Sequence, residues 1–210
     1  EGADLMVTPV SEPENHYLRM TGKSELSENG TLEGEIYLTA EGQSDASIRG
    51  MFTRSYKSEW EKNLEAELLR INPKAEILSM DYGDDPYDHM SGPIEITIKY
   101  RIPDYAFAAD NKLAFIPLLA NNAFSRGMSH IYLNTYLENR EYPFRDRCSR
   151  MVNIRETITV PEGYSMVNEP VDKDLDGVAA AYEGKLSQEG NTIDMEQEII
   201  LEKRIYESSD

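Results

Sequence analysis

Apolar and polar residues alternate with a period of two through most of this chain. Leu32, Ile36, Leu38 and Ala40 fall on one side, with Glu33, Glu35, Thr39 and Glu41 on the other. Ile94, Ile96, Ile98 and Tyr100 interleave with Glu95, Thr97, Lys99 and Arg101. Val152, Ile154, Ile158 and Val160 interleave with Asn153, Arg155, Thr157 and Thr159. That period is the mark of half-buried strands. Shorter signals add one strand begun by Ala75, Ile77 and Ser79, and others over Leu113 to Leu119, Ile131 to Leu137, Val178 to Leu186 and Thr192 to Ile205. Asn29-Gly30 is a hairpin signal, and Gly22 reads as a turn after Met20.

The period changes to three and four in one place. Ile48, Met51, Phe52, Tyr56, Trp60, Leu64, Leu68 and Ile71 form an apolar stripe along a helix, interrupted near Gly50 and the 55–58 stretch. Ser58 to Glu61 reads as a capping box, and Asn72-Pro73 stops the helix. The expected fold class is therefore α+β, mainly β: an antiparallel β-sandwich-like domain with a helical insert at about residues 45–71. Residues 1–15, with Pro9, Pro13 and several acids, read as an extended lead-in. Residues 16–210 read as one β-rich domain with a seam near 140. Of the aromatic residues, Tyr37, Tyr56, Tyr100 and Tyr132 sit at strand or helix positions where packing accounts for them, and Trp60 reads as core.

The chain carries 21 basic and 39 acidic residues, a net charge of -18, with no basic run. Nucleic acid and anionic membranes demand clustered Lys and Arg, so neither is an expected partner. No apolar run approaches the ~20 residues that span a bilayer. Cys148 is the sole cysteine, which excludes an internal disulfide.

Four constellations suggest chemistry. Cys148 lies among Arg145, Arg147 and Arg150, which would favour a thiolate, but His16, His89 and His130 lie in no motif with it, so it reads as a loop or half-buried thiol. Asp172, Asp174, Asp176, Gly177 and Glu183 satisfy the spacing of an EF-hand loop. Pro170 before them and Gly184 after them leave no room for its two helices, so the segment reads as an Asp-rich hairpin turn before the strand Val178 to Leu186, with no more than weak, adventitious cation binding. The segment Asp81 to His89 offers carboxylates, one imidazole and tyrosines for a cation or a sugar, but Gly83, Pro86 and Gly92 mark it as a long solvated turn. Scattered carboxylates supply no recognisable pair. No catalytic, cofactor-binding or metal site is expected, and no cofactor.

Two stretches also carry a family likeness. Tyr142-Pro143-Phe144-Arg145-Asp146-Arg147 precedes a strand ending Ile158-Thr159-Val160-Pro161-Glu162-Gly163-Tyr164, followed by Asn168-Glu169-Pro170. Upstream, Leu26 to Glu35 leads into a strand closed by Ala40-Glu41-Gly42. They resemble the C-terminal region of Gram-negative envelope proteins in which a transglutaminase-like core of papain type is flanked by β-rich domains of unknown function, a resemblance that covers most of residues 5–206. The resemblance implies a non-catalytic accessory domain, an upstream transglutaminase-like domain of the same polypeptide as partner, a periplasmic or cell-envelope location, and a chain excised from a longer protein. The other reading is a stand-alone carbohydrate- or protein-binding module that uses the 81–92 loop and exposed tyrosines.

Overall fold

A computed structural model describes residues 9–121 and 141–208. Its centre is one eight-stranded sheet built from two antiparallel groups. The first contains β1 (Tyr17–Leu26), β2 (Leu32–Ala40), β3 (Glu76–Asp81) and β4 (Ile94–Ile102), with helices α1 (Gly42–Thr53) and α2 (Trp60–Ile71) between β2 and β3. Two short hairpin strands follow, β5 (Phe107–Ala109) and β6 (Lys112–Ala114). After them comes β7 (Phe144–Arg145), and then the second group: β8 (Arg150–Thr159), β9 (Val171–Leu175), β10 (Ala180–Glu189) and β11 (Thr192–Leu201). Last is β12 (Ile205–Tyr206), which pairs with β7.

The strand order is β3-β4-β2-β1-β8-β11-β10-β9. Every neighbouring pair runs antiparallel except β1 and β8, which run parallel where the two groups meet. The mainly β, α+β class is as expected, and the helical insert is the α1–α2 pair. The sheet itself differs from an antiparallel sandwich. Both groups are local antiparallel sets, which strand periodicity reveals, but their joining is a single long-range parallel pairing that leaves no pattern in the sequence. It produces one mixed sheet.

Register places one residue set on a common face. From β4 to β10 the rows read Ile98, Ile36, Gly22, Glu156, Met195 and Leu186, with Ile96, Leu38, Met20, Ile154, Gln197 and Gly184 in the next row. The helices cover the first half of this face with Ile48, Phe52, Trp60, Leu64 and Leu68, all buried. The opposite face carries Lys23, Glu35, Lys99, Arg155 and Glu196 and meets water.

Local chemistry explains the elements. β1 and β2 join through Ser27 to Thr31, where the Asn29 side chain accepts the Thr31 N–H at 3.1 Å and Gly30 takes φ +82°. Gly22 is no turn: β1 runs straight through it, paired with Ile36 and Glu156. Gly42 opens α1 at φ +62°, and a Cβ there would lie 2.2 Å from the Asn15 carbonyl oxygen. The helical stripe breaks at 54–59 rather than at Gly50, and Glu59 accepts the Tyr56 N–H at 3.3 Å in place of a Ser58 cap. Asn72 ends α2, donating its N–H to the Leu68 carbonyl. Of the strand expected over 113–119 only 112–114 forms. Its hairpin partner arrives through Asp110 and Asn111, both at positive φ, a turn suited to a two-residue hairpin. Beyond it a short 3-10 turn, Leu118–Asn121, tucks Leu118 and Leu119 under the sheet. The strand expected over 131–137, with Tyr132, lies outside the described residues.

Candidate functional sites

The 81–92 segment is organised from beneath by Arg49. This side chain is 1% exposed on α1 and forms a bidentate pair with Asp45, both contacts from Nε, at 2.8 and 2.9 Å. Its remaining nitrogens donate to the carbonyls of Pro86 (3.1 Å), Asp88 (2.9 Å) and Gly92 (2.7 Å). Asp45 in turn accepts the Ile94 N–H at 2.9 Å. A buried guanidinium is tolerated only when its donors are matched, and here the loop's backbone supplies the match. The carboxylates face their own chain too: Asp81, Asp85 and Asp88 accept the N–H groups of Gly83, Tyr87 and Met90. The carbonyls and acids that suggested a cation cradle are engaged in holding the loop's shape.

Cys148 is buried, and burial pushes its thiol pKa up despite Arg150, Arg204 and Arg147 nearby, with Asp146 adding to the rise. The arginines do not activate it because desolvation of a thiolate outweighs their pull, and Arg150 is already paired with Asp146 through Nε at 3.0 Å and Nη2 at 2.9 Å. His16 accepts the Gln43 N–H through Nδ1 at 3.2 Å, anchoring the start of α1. Burial lowers its pKa, Arg150 lowers it further and Glu41 opposes them. His89 sits on the surface loop, and His130 lies outside the described residues.

Asp172 and Asp174 do not curl into a cation loop. They lie in the extended strand β9, opposite Lys185 and Glu183 of β10, with every residue of β9 exposed. The turn between the strands is confined to 176–179, shorter than the acidic turn expected. Among the described residues no cluster of three His, Cys, Asp or Glu side chains is placed to hold a metal.

Tyr100 is fully buried, and Trp60 packs edge-on against Phe52 and Tyr82. Tyr56 departs from the expected packing at 80% exposure, because the chain leaves the helical stripe at 54–59. Tyr87 stacks on Trp60 at 5.7 Å and stays half exposed. The outer sheet face holds an open groove of about 690 Å³ lined by Lys23, Glu33, Glu35, Leu78, Lys99 and Thr157. On the other face, the helices stop short of the β9 end. There Val171 and Leu175 are exposed beside half-buried Tyr182, Leu186 and Ile199, and the Tyr182 ring takes up the space that a side chain at Gly184 would fill.

One residue of the interior escapes a search for motifs. Glu156 shares the inward side of β8 with Ile154 and Ile158, is 1% exposed, and accepts the N–H groups of Leu118 (3.1 Å) and Leu119 (2.8 Å). Burial raises its pKa to about 7 against the opposing pull of those two bonds. Parity alone would have found it: a carboxylate in the apolar phase of a strand is an informative exception.

Residues 112–210 match a family described as a domain of unknown function with solved structure (DUF3858). No curated protein matches the chain. Among solved structures, the folded domain of the Mycobacterium tuberculosis LppM (Rv2171) protein, determined by NMR, aligns over 97% of this chain and 96% of that one, at 11% identity and a TM-score of 0.31. A likeness of that size carries no argument about fold or function.

Proposed function

We propose that the chain is a non-catalytic accessory domain of a transglutaminase-like envelope protein, in the periplasm or cell envelope, where it packs beside or positions an upstream catalytic module. The observation that carries this reading is the uncovered β9 end of the core-side face. Val171 and Leu175 extend an apolar surface past the helices, as a sheet does when a second body completes it. The buried, deactivated thiol and the structural engagement of His16 fit a domain without its own chemistry.

The test is association. The segment encoded upstream of Glu1 in the native gene is made separately and mixed with this chain. Binding that Leu175→Asp weakens, together with amide-transfer or peptidase activity only in the joined protein, agrees with the reading. Activity in the isolated chain that disappears with Cys148→Ser would overturn it, as would a native gene that encodes no such core. The exposed pair Tyr56 and Tyr87 favours the second reading, a stand-alone binding module. Glycan or peptide binding lost in Tyr87→Ala, with no upstream association, would favour it.

A further inference from the structure

We propose that Glu156 is a proton-controlled latch that fastens the strap formed by residues 115–121 onto the parallel seam of β1 and β8, holding it closed when protonated and loosening it when ionised.

The geometry begins with the route of the chain. After β6 the strap runs across the core-side face, with the Tyr105 hydroxyl donating to the Ile116 carbonyl at 2.6 Å and Leu118 and Leu119 buried. It meets the sheet where β1 presents Gly22. A Cβ at Gly22 would lie 3.2 Å from both Leu119 Cδ1 and Glu156 Cγ, so the glycine leaves the space that strap and carboxylate share. The Glu156 carboxyl group then receives one strap N–H on each oxygen.

Among the described residues no cation is paired with the carboxyl. From the strap it faces Leu118 and Leu119, from β1 Gly22, and from β11 its register partner Met195. From β4 comes Tyr100, whose phenol pKa is raised chiefly by burial and also by Glu156 itself. Tyr100 is thus a titratable neighbour among the described residues, and it stays protonated. Register puts side-chain-free Gly34 between Tyr100 and Ser24, so the two hydroxyls converge beside the seam, where Ser24 opposes the rise of the Tyr100 phenol. A neutral carboxyl fits this interior: it carries no buried charge, and one oxygen still accepts an N–H. An ionised one keeps both N–H groups but has only those two bonds to offset the loss of water.

The sign follows from where the proton binds more tightly. With the strap closed, the carboxyl pKa is raised to about 7; with the strap lifted, water reaches the carboxyl and the pKa returns toward 4.5. The closed state therefore holds the proton better, so closure is favoured in acid and lost as pH rises through the closed-state value. The two values allow the opening constant to change on the order of a hundredfold between about pH 5 and 8.5.

The experiment measures amide hydrogen exchange at Leu118 and Leu119 across pH 5 to 8.5, corrected for intrinsic rates, in the unmodified chain and in Glu156→Gln. Expected is an opening constant that climbs with pH in the unmodified chain and is flat in the variant. His16, whose lowered pKa carries the opposite pH sign, is the same in both. A 13C titration of the Glu156 carboxyl in the unmodified chain needs no variant to fold. A midpoint near 4.5 would overturn the latch. So would strap amides that exchange only by global unfolding at every pH, or a pH dependence that persists in Glu156→Gln.

Discussion

Single residues here act mainly through what they satisfy in the interior. Arg49 gathers three loop carbonyls and one carboxylate, so its loss leaves the Pro86, Asp88 and Gly92 carbonyls without its N–H groups and Asp45 with only the Ile94 N–H. Arg49→Met should cost about 3–5 kcal/mol, the penalty for breaking a buried pair from one side, read as a fall in the urea midpoint at constant slope. Proteolysis should then begin in the 82–92 loop. Cys148 should behave in the reverse way. A buried thiol with a raised pKa is a poor nucleophile. A disulfide reagent should modify it far more slowly in the folded chain than in urea, and Cys148→Ser should leave folding nearly unchanged. Rapid labelling of the native thiol would show that it is accessible after all.

At the level of elements, two glycines make opposite demands. A Cβ at Gly34 in β2 would sit 2.3 Å from the Lys23 carbonyl oxygen and 2.7 Å from Ser24 Cα, a backbone that cannot yield. At Gly50, inside α1, the nearest atoms belong to the flexible end of Arg54 at 3.6 Å. Gly50→Ala should therefore raise stability by about 0.5–1 kcal/mol through helix propensity, and Gly34→Ala should lower it by more than that, both measured by thermal or urea unfolding. The strands around them were legible because a half-buried strand writes its parity into the sequence: β2, β4 and β8 fall where Leu32, Ile94 and Val152 begin their alternations. Gly22 misled because a glycine that makes space looks like a glycine that makes a turn. Tyr56 misled because the helical spacing continues through a segment where the helix does not. The Asp172 to Glu183 spacing suggested a cation loop because ligand order is readable in one dimension, whereas the extended backbone of β9 that separates those carboxylates is not.

For the molecule as a whole, the acidic surface and the β9–β10 hairpin make a direct statement about cations. With Asp172 and Asp174 on an exposed strand facing Lys185 and Glu183, calcium at micromolar concentration should leave the melting temperature unchanged. Asp172→Ala should make no difference to that result. A rise in melting temperature that Asp172→Ala abolishes would mean that the hairpin rearranges around the ion. The joining of the two sheet halves is the part of the candidate architecture least visible beforehand, since β1 and β8 each look like any other strand and only their partnership is unusual.

That partnership also bears on the order in which the molecule assembles. Within each half the pairings span at most an inserted unit, the two helices with β3 between β2 and β4 or β9 and β10 between β8 and β11, whereas Tyr17 comes to lie beside Met151 with most of the polypeptide between them. Closing so large a loop loses chain entropy before any contact at the seam repays it. The seam should accordingly form late, after each half has collapsed on its own hairpins. Ile98→Val in β4 should slow folding, while Val152→Ala at the seam should chiefly speed unfolding.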